Sequence, residues 1–204
     1  MAIDGWLPNT LFFLRWLHIF FGIIWIGHLY FFKLVNVPFQ GVLEKELKPK
    51  VNPLLLARAL WWFRWGAMAT FLLGWALLGM KYGMSDLLYD AAGKLSERAM
   101  WIFTGALLGS IMWFNVWFVI WPAQRQILTW MKAGQSPPEV PALAKRALMF
   151  SRANTYLSGP MLFCMIAPNS YPSLNVMTFV LATLFSVAII YHLIKVSGKV
   201  GTTI

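Results

Sequence analysis

Residues 11–32, LFFLRWLHIFFGIIWIGHLYFF, decide the fold class. The run carries one formal charge, Arg15, and two histidines, His18 and His28. A helix of ~20 apolar residues, rising ~1.5 Å per residue, crosses a hydrocarbon core of ~30 Å. A barrel strand would instead alternate over ~10 residues. A signal peptide is the poorer reading: the block is too long, holds Arg15 and two His, and has no small-residue cleavage site after it.

Four further blocks of this kind follow, at about 60–80, 100–121, 147–167 and 174–194. The chain is 59% hydrophobic and 12% charged, about half the charged fraction of a soluble domain. The expectation is therefore an all-α integral membrane bundle of about five transmembrane helices, with residues 1–204 forming a single membrane domain. The twelve Trp suit the membrane–water interface, and Trp61, Trp62, Trp65, Trp113, Trp117 and Trp121 read as anchors and packing.

Between the blocks, residues 33–59 read as a loop broken by Pro38 and Pro53. Residues 81–99 are mixed in charge. Residues 122–146 carry Ser136-Pro137-Pro138, and Pro168-Asn169-Ser170-Tyr171-Pro172 reads as a short turn. Placing the first and third loops with the C-terminus puts thirteen of the seventeen Lys/Arg on one side. The positive-inside rule makes that side cytoplasmic, with the N-terminus outside and the C-terminus inside. The net charge of +10 thus reports orientation and contact with anionic lipid, and a nucleic-acid partner is not expected. A single cysteine, Cys164, excludes an intrachain disulfide and reads as a small buried apolar residue. No Cys-x-x-Cys-His attaches a c-type haem, no zinc spacing or phosphate-cradling Gly-rich loop occurs, and no internal repeat is legible.

Ionisable residues inside a membrane are costly and mark candidate sites. Here they are Arg15, His18 and His28 in the first span, Arg64 in the second, Arg152 in the fourth and His192 in the fifth; Asn115 and Asn154 are polar amides of the third and fourth, near the cytoplasmic ends of their spans. No Asp or Glu falls inside a span, which removes the carboxylate of a proton-driven carrier and the ordinary general bases. His28 and His192 share a level in the cytoplasmic half. His18 lies ten residues from His28, about 15 Å along the axis, so one metal ion cannot bind both.

Neutral imidazoles between helices are usual ligands of haem b. His18, His28 and His192 are the candidate iron ligands, with His28–His192 as one pair. Arg64, Arg152 and Lys195 are candidate propionate partners. Gly22 would leave room for a flat ring beside His18, with Met161 and Met165 at the depth of an opposite ligand. The alternative is that these histidines only bond neighbouring helices and that the arginines reach lipid phosphate.

Three segments resemble the bacterial membrane-bound urate oxidase N-terminal domain family. They are residues 15–27, RWLHIFFGIIWIG; Asn115-Val116-Trp117 running into Trp121-Pro122-Ala123-Gln124-Arg125; and residues 151–163, SRANTYLSGPMLF. The resemblance is to a short form lacking the C-terminal cytochrome c domain of longer members. Where members often carry a His after the Pro-Met-Leu-Phe segment, this chain reads Ala167-Pro168-Asn169. The resemblance implies a membrane redox protein coupled to a cytochrome c. Three functions stay open: a haem-b subunit passing electrons within a larger complex, a haem-free accessory subunit of a membrane enzyme, and an oxidase of a small anion such as urate that uses a partner cytochrome c.

Overall fold

The computed structural model describes residues 5–83, 87–170 and 175–201, and its regular structure is helical. Helix α1, Trp6–Tyr30, continues through a π-helical segment, π1, Phe31–Asn36, into α2, Val37–Val42. α3, Lys48–Gly83, returns along α1. α4, Glu97–Phe114, continues through a second π segment, π2, Asn115–Ile120, into α5, Trp121–Lys132. α6, Val140–Ser170, returns along α4, and α7, Val176–Ser197, packs on α6 and π1.

The five apolar blocks all lie in long helices, but the helices overrun them. The expected loop over 33–59 contracts to residues 43–47, and the one over 122–146 to residues 133–139. Pro38 and Pro122 did not break the chain because each sits at the second position of a helix that follows a π segment. A proline ring collides with the carbonyl four residues back and donates no hydrogen bond. The wider register relieves this: the N–H of Val37 reaches the carbonyl of Phe32, and that of Trp121 the carbonyl of Val116, each five residues back. Tyr171 and Pro172 of the expected final turn lie outside the described residues, while Pro168 is still inside α6.

Four helical units are long and apolar enough to cross a membrane: Trp6–Val42, Lys48–Gly83, Glu97–Lys132 and Val176–Ser197. The expected fourth span, now within α6, has the length but not the apolarity. Asn154, Thr155 and Ser158 dilute it, and all three are fully buried against the rest of the bundle. Although no repeat is legible in the sequence, the two halves share one plan. A 37-residue unit and a 36-residue unit are each bent through a π segment before a proline, and each is followed by a long returning helix.

Helix α4 begins on Ser96, whose Oγ accepts the Ala99 N–H at 3.2 Å, with Glu97 in the first turn. Asn175 caps α7 in the same way, accepting the Thr178 N–H at 2.8 Å. Trp25, Leu29, Leu60, Phe63, Met112, Val116 and Met161 form the main core, shared by α1, α3, α4, π2 and α6. A glycine sits at each of three seams. A methyl group on Gly66 would stand 3.2 Å from the Trp25 backbone nitrogen, one on Gly105 3.1 Å from Cys164 Cβ, and one on Gly159 2.6 Å from Ser186 Cβ. Lipid is as apolar as the side chains, so helices gain by close approach over small residues rather than by escape from solvent.

Candidate functional site

The three histidines occupy three different environments. His18 crosses the α1–α3 seam. Its Nδ1 lies 2.9 Å from the carbonyl oxygen of Thr70, and its ring rests on Gly74, where a Cβ would be 2.8 Å from Cε1. Thr70 in turn donates its hydroxyl to the Gly66 carbonyl at 2.8 Å. Gly66, Thr70 and Gly74 thus form a small-residue stripe that receives α1. At Gly22, where the sequence suggests room for a flat ring, a Cβ would meet the Thr70 methyl at 3.9 Å. Met161 sits in the main core and Met165 against Gly105 on the α4–α6 seam, neither of them part of the His18 seam.

His28 has its Nδ1 2.7 Å from the Ile24 carbonyl oxygen of its own helix. A carbonyl can only accept, so in the neutral ring the proton is on Nδ1 and the lone pair on Nε2. This is the tautomer that binds metals through Nε2, with the other nitrogen fixing the ring. The same reasoning applies to His18. His28 lines a groove of about 480 Å³ between α1 and α3, with Ile23, Gly27, Phe31, Leu55, Ala59 and Trp62 as apolar walls and Arg58 as its one cation. Arg58 donates from Nη1 to the Leu54 carbonyl at 2.8 Å. The volume is within the ~300–1,000 Å³ of small-molecule and cofactor sites. His192 is exposed on α7 and is not among the residues of this groove.

Arg64 is held by aromatic rings. Its guanidinium carbon lies 3.8 Å from the centroid of Trp121, 5.8 Å from Trp65 and 5.9 Å from Trp117. Trp117 Nε1 donates to the Arg64 carbonyl at 3.1 Å, and Arg64 Nε is buried with no hydrogen-bond partner. A guanidinium over an aromatic face gains up to ~2 kcal/mol or more when desolvated. Three tryptophans that read as anchors are therefore a cation clasp, while Trp113 packs as expected, stacked on Phe71 at 4.1 Å.

The two membrane amides meet. Asn115 Nδ2 donates to Asn154 Oδ1 at 2.8 Å, and Asn154 Nδ2 donates to the Met112 carbonyl at 2.9 Å. The lock ties α6 to the point where α4 passes into π2. A second polar tie lies nearby on α6: the Tyr30 and Ser158 hydroxyls are 3.0 Å apart, and Ser158 donates to the Thr155 carbonyl at 2.7 Å.

Arg152, also on α6, belongs to neither the groove nor the clasp. Lys33 of π1, a residue that reads in the sequence only as the first cation of a loop, is 3% exposed. Lys33 and Arg58 are the two functional candidates that sequence reasoning passed over. The available signal was spacing. Lys33 stands four and eight residues after Leu29 and Trp25, and Arg58 stands four before Trp62.

Among the described residues no three His, Cys, Asp or Glu side chains gather around one point, so any metal centre built from this chain takes few protein ligands. No curated protein and no solved structure matches the chain. The urate oxidase N-terminal family model matches residues 86–198. That span takes in the Asn115–Asn154 lock, Arg152 and His192, and leaves α1 to α3 with their groove outside it. By that match, over more than half its length, the chain belongs to the urate oxidase N-terminal family.

Proposed function

We propose that the chain is a membrane subunit of a bacterial redox complex in the inner membrane, and that it holds a haem b in the groove between α1 and α3. The observation that carries this reading is His28. Its Nδ1 is fixed on the Ile24 carbonyl and its Nε2 is left as a ligand, in a groove that is otherwise apolar apart from Arg58. A largely apolar ring with a carboxylate edge suits that lining. His28 would hold the iron, Arg58 would meet a carboxylate, and Ile23, Gly27 and Trp62 would exclude water. Bound haem supplies one-electron transfer. The groove offers no second His, Met or Cys, and it is open on its outer side. A ligand opposite His28 would therefore come from another subunit, which fits a component of a larger assembly.

In this reading α6 is the fifth crossing, with its polar side turned into the bundle. Its 31 residues at ~1.5 Å each exceed the ~30 Å core. The N-terminus is then outside and the C-terminus cytoplasmic. Most of the basic residues lie on helical extensions (π1, the start of α3, α5 and the start of α6), and the packing of α5 on α3 supports their gathering at one end.

The test is an absorption spectrum of the protein extracted with its native partners. A Soret band and a b-type pyridine haemochrome are expected, and both should vanish with His28→Ala. Absence of haem from the wild-type complex, or its retention in His28→Ala, overturns the reading. A second reading is a haem-free accessory subunit. It is favoured by the hydrogen bonds that His18 and His28 already make to helix backbone, and it predicts a complex that assembles without a Soret band of its own.

A further inference from the structure

We propose that Arg64 and Arg125 form a binding site for the phosphate of an anionic phospholipid, at the seam where α3 meets π2 and α5. The Arg64 guanidinium is planar, with its five N–H donors in the plane. Its faces are taken: the guanidinium carbon lies 3.8 Å from the centroid of Trp121, with those of Trp65 and Trp117 at 5.8 and 5.9 Å. Its edge is not. Nε is buried with no partner, and among the described residues the guanidinium makes no hydrogen bond or ion pair. The two terminal nitrogens, unlike Nε, are not sealed under the rings. Indole faces attract the charge, but the fork of N–H donors that fits a carboxylate or phosphate is left unused.

The clasp carries no counter-charge of its own, and an unpaired charge within a membrane is costly. The acidic residues closest in sequence are Glu46, eighteen residues before Arg64, and Glu139, eighteen after Trp121. The clasp is nevertheless held in place. Trp117 Nε1 donates to the Arg64 carbonyl at 3.1 Å, and the Trp117 ring meets that of Trp65 edge-on at 5.3 Å. Arg125, exposed, stands one turn beyond Trp121 on the same side of α5, and it lines a groove with Gln126 and Thr129. On the other side, Trp61 and Trp65 are both exposed, with rings 6.3 Å apart, and continue the clasp along α3 as an aromatic shelf. Two cations beside an exposed apolar shelf fit a ligand with an anionic head and an apolar tail; a free oxyanion would leave the shelf bare. The site shares no residue with the His28 groove, so it does not depend on the haem reading.

The experiment titrates the full chain, purified in detergent, with phosphatidylglycerol, with inorganic phosphate, and with phosphatidylcholine as the zwitterionic control. Bound species are counted by native mass spectrometry, and the shift of the thermal midpoint on adding each probe is followed in parallel. Reading the shift rather than the midpoint keeps any stability lost with the ring stack out of the result. One phosphatidylglycerol should bind and raise the midpoint. Arg64→Gln and Arg125→Gln should each weaken that binding about tenfold or more, the loss expected of hydrogen bonds to a charged group, while Lys132→Gln, at an exposed cation of α5, should leave it unchanged. Equal binding of phosphatidylcholine, saturation by inorganic phosphate in place of the lipid, or phosphatidylglycerol binding that neither substitution weakens would each overturn the proposal. Should Arg64→Gln fail to fold, Arg125→Gln, at an exposed side chain, decides the question by itself.

Discussion

Replacing Asn154 with leucine removes the acceptor for Asn115 Nδ2 at 2.8 Å and the donor to the Met112 carbonyl at 2.9 Å. Interhelical hydrogen bonds in membranes average ~0.6 kcal/mol and reach ~1.7, so two lost bonds account for about 1–3 kcal/mol. The orphaned Asn115 amide adds ~1–3 kcal/mol, because Asn154 is 0% exposed and no water or headgroup takes its place. Leucine fills a similar volume, so the cavity contribution is small. Asn154→Leu should therefore cost about 2–6 kcal/mol. The double variant Asn115→Leu/Asn154→Leu has no orphan and should cost at least ~1 kcal/mol less than the sum of the two single changes. Unfolding in mixed micelles with rising sodium dodecyl sulfate, followed by circular dichroism, measures all four proteins of the cycle. A single-variant loss below ~0.5 kcal/mol, or strict additivity in the double, would refute the idea that the amides act as one lock.

The seam glycines give a second test. Gly66→Ala must push the Trp25 backbone away from 3.2 Å and should cost ~1–3 kcal/mol, whereas Gly79→Ala, with nothing within 4 Å, should gain ~0.5–1 kcal/mol from helix propensity; the same micelle assay reads both, and equal effects would count against the seam. Gly27→Leu fills the groove beside His28 without touching the imidazole, so the complex should assemble with wild-type helicity and lose its Soret band, and an unchanged band would place the haem elsewhere. Arg64→Lys keeps the charge but loses the planar stack on Trp121 at 3.8 Å, and should cost ~1 kcal/mol; thermal midpoints that match the wild type would show that the clasp contributes nothing.

How much of this was legible depends on the kind of signal. The positions of the long helices follow from apolar blocks, and Asn115 and Asn154 stand out in the sequence as polar groups inside them, but that the two amides meet is visible only once α6 packs on α4. Helix lengths were not legible, because Pro38, Pro53 and Pro122 carry the usual mark of a break. Only the register of the neighbouring turns shows that the chain continues through them. The histidines were found, but their directions were not. Sequence fixes depth along a helix to within a turn, while rotation about the axis depends on which helix packs on which side. That is why His28 lines the groove between α1 and α3 while His192 stands exposed on α7 outside it. The same limit hid Lys33, since a lysine five residues before a proline looks like the start of a loop until the π segment turns it inward.

The distribution of burial supports lipid as the surrounding solvent more strongly than length does. In water the most apolar helix is the most buried. Here the relation is inverted. α7 contains the most apolar window, with a mean hydropathy of 2.1, and only 6% of that window is buried; Leu181, Leu184 and Phe185 stand exposed on it. α6 is the most polar of the long helices beyond its first turns, and its Asn154, Thr155 and Ser158 are each 0% exposed. An unsatisfied polar group in hydrocarbon costs several kcal/mol, whereas an exposed leucine there costs nothing. A chain folding in lipid therefore sorts its side chains by hydrogen-bonding need and not by hydrophobicity. Counting apolar residues finds α1 and α7, the helices whose apolar side chains stand most exposed. It undervalues α6, to which the polar ties of the bundle are fastened. The same sorting is visible along the seams, where the buried side chains of Thr70, Asn115, Asn154, Thr155 and Ser158 each make a hydrogen bond.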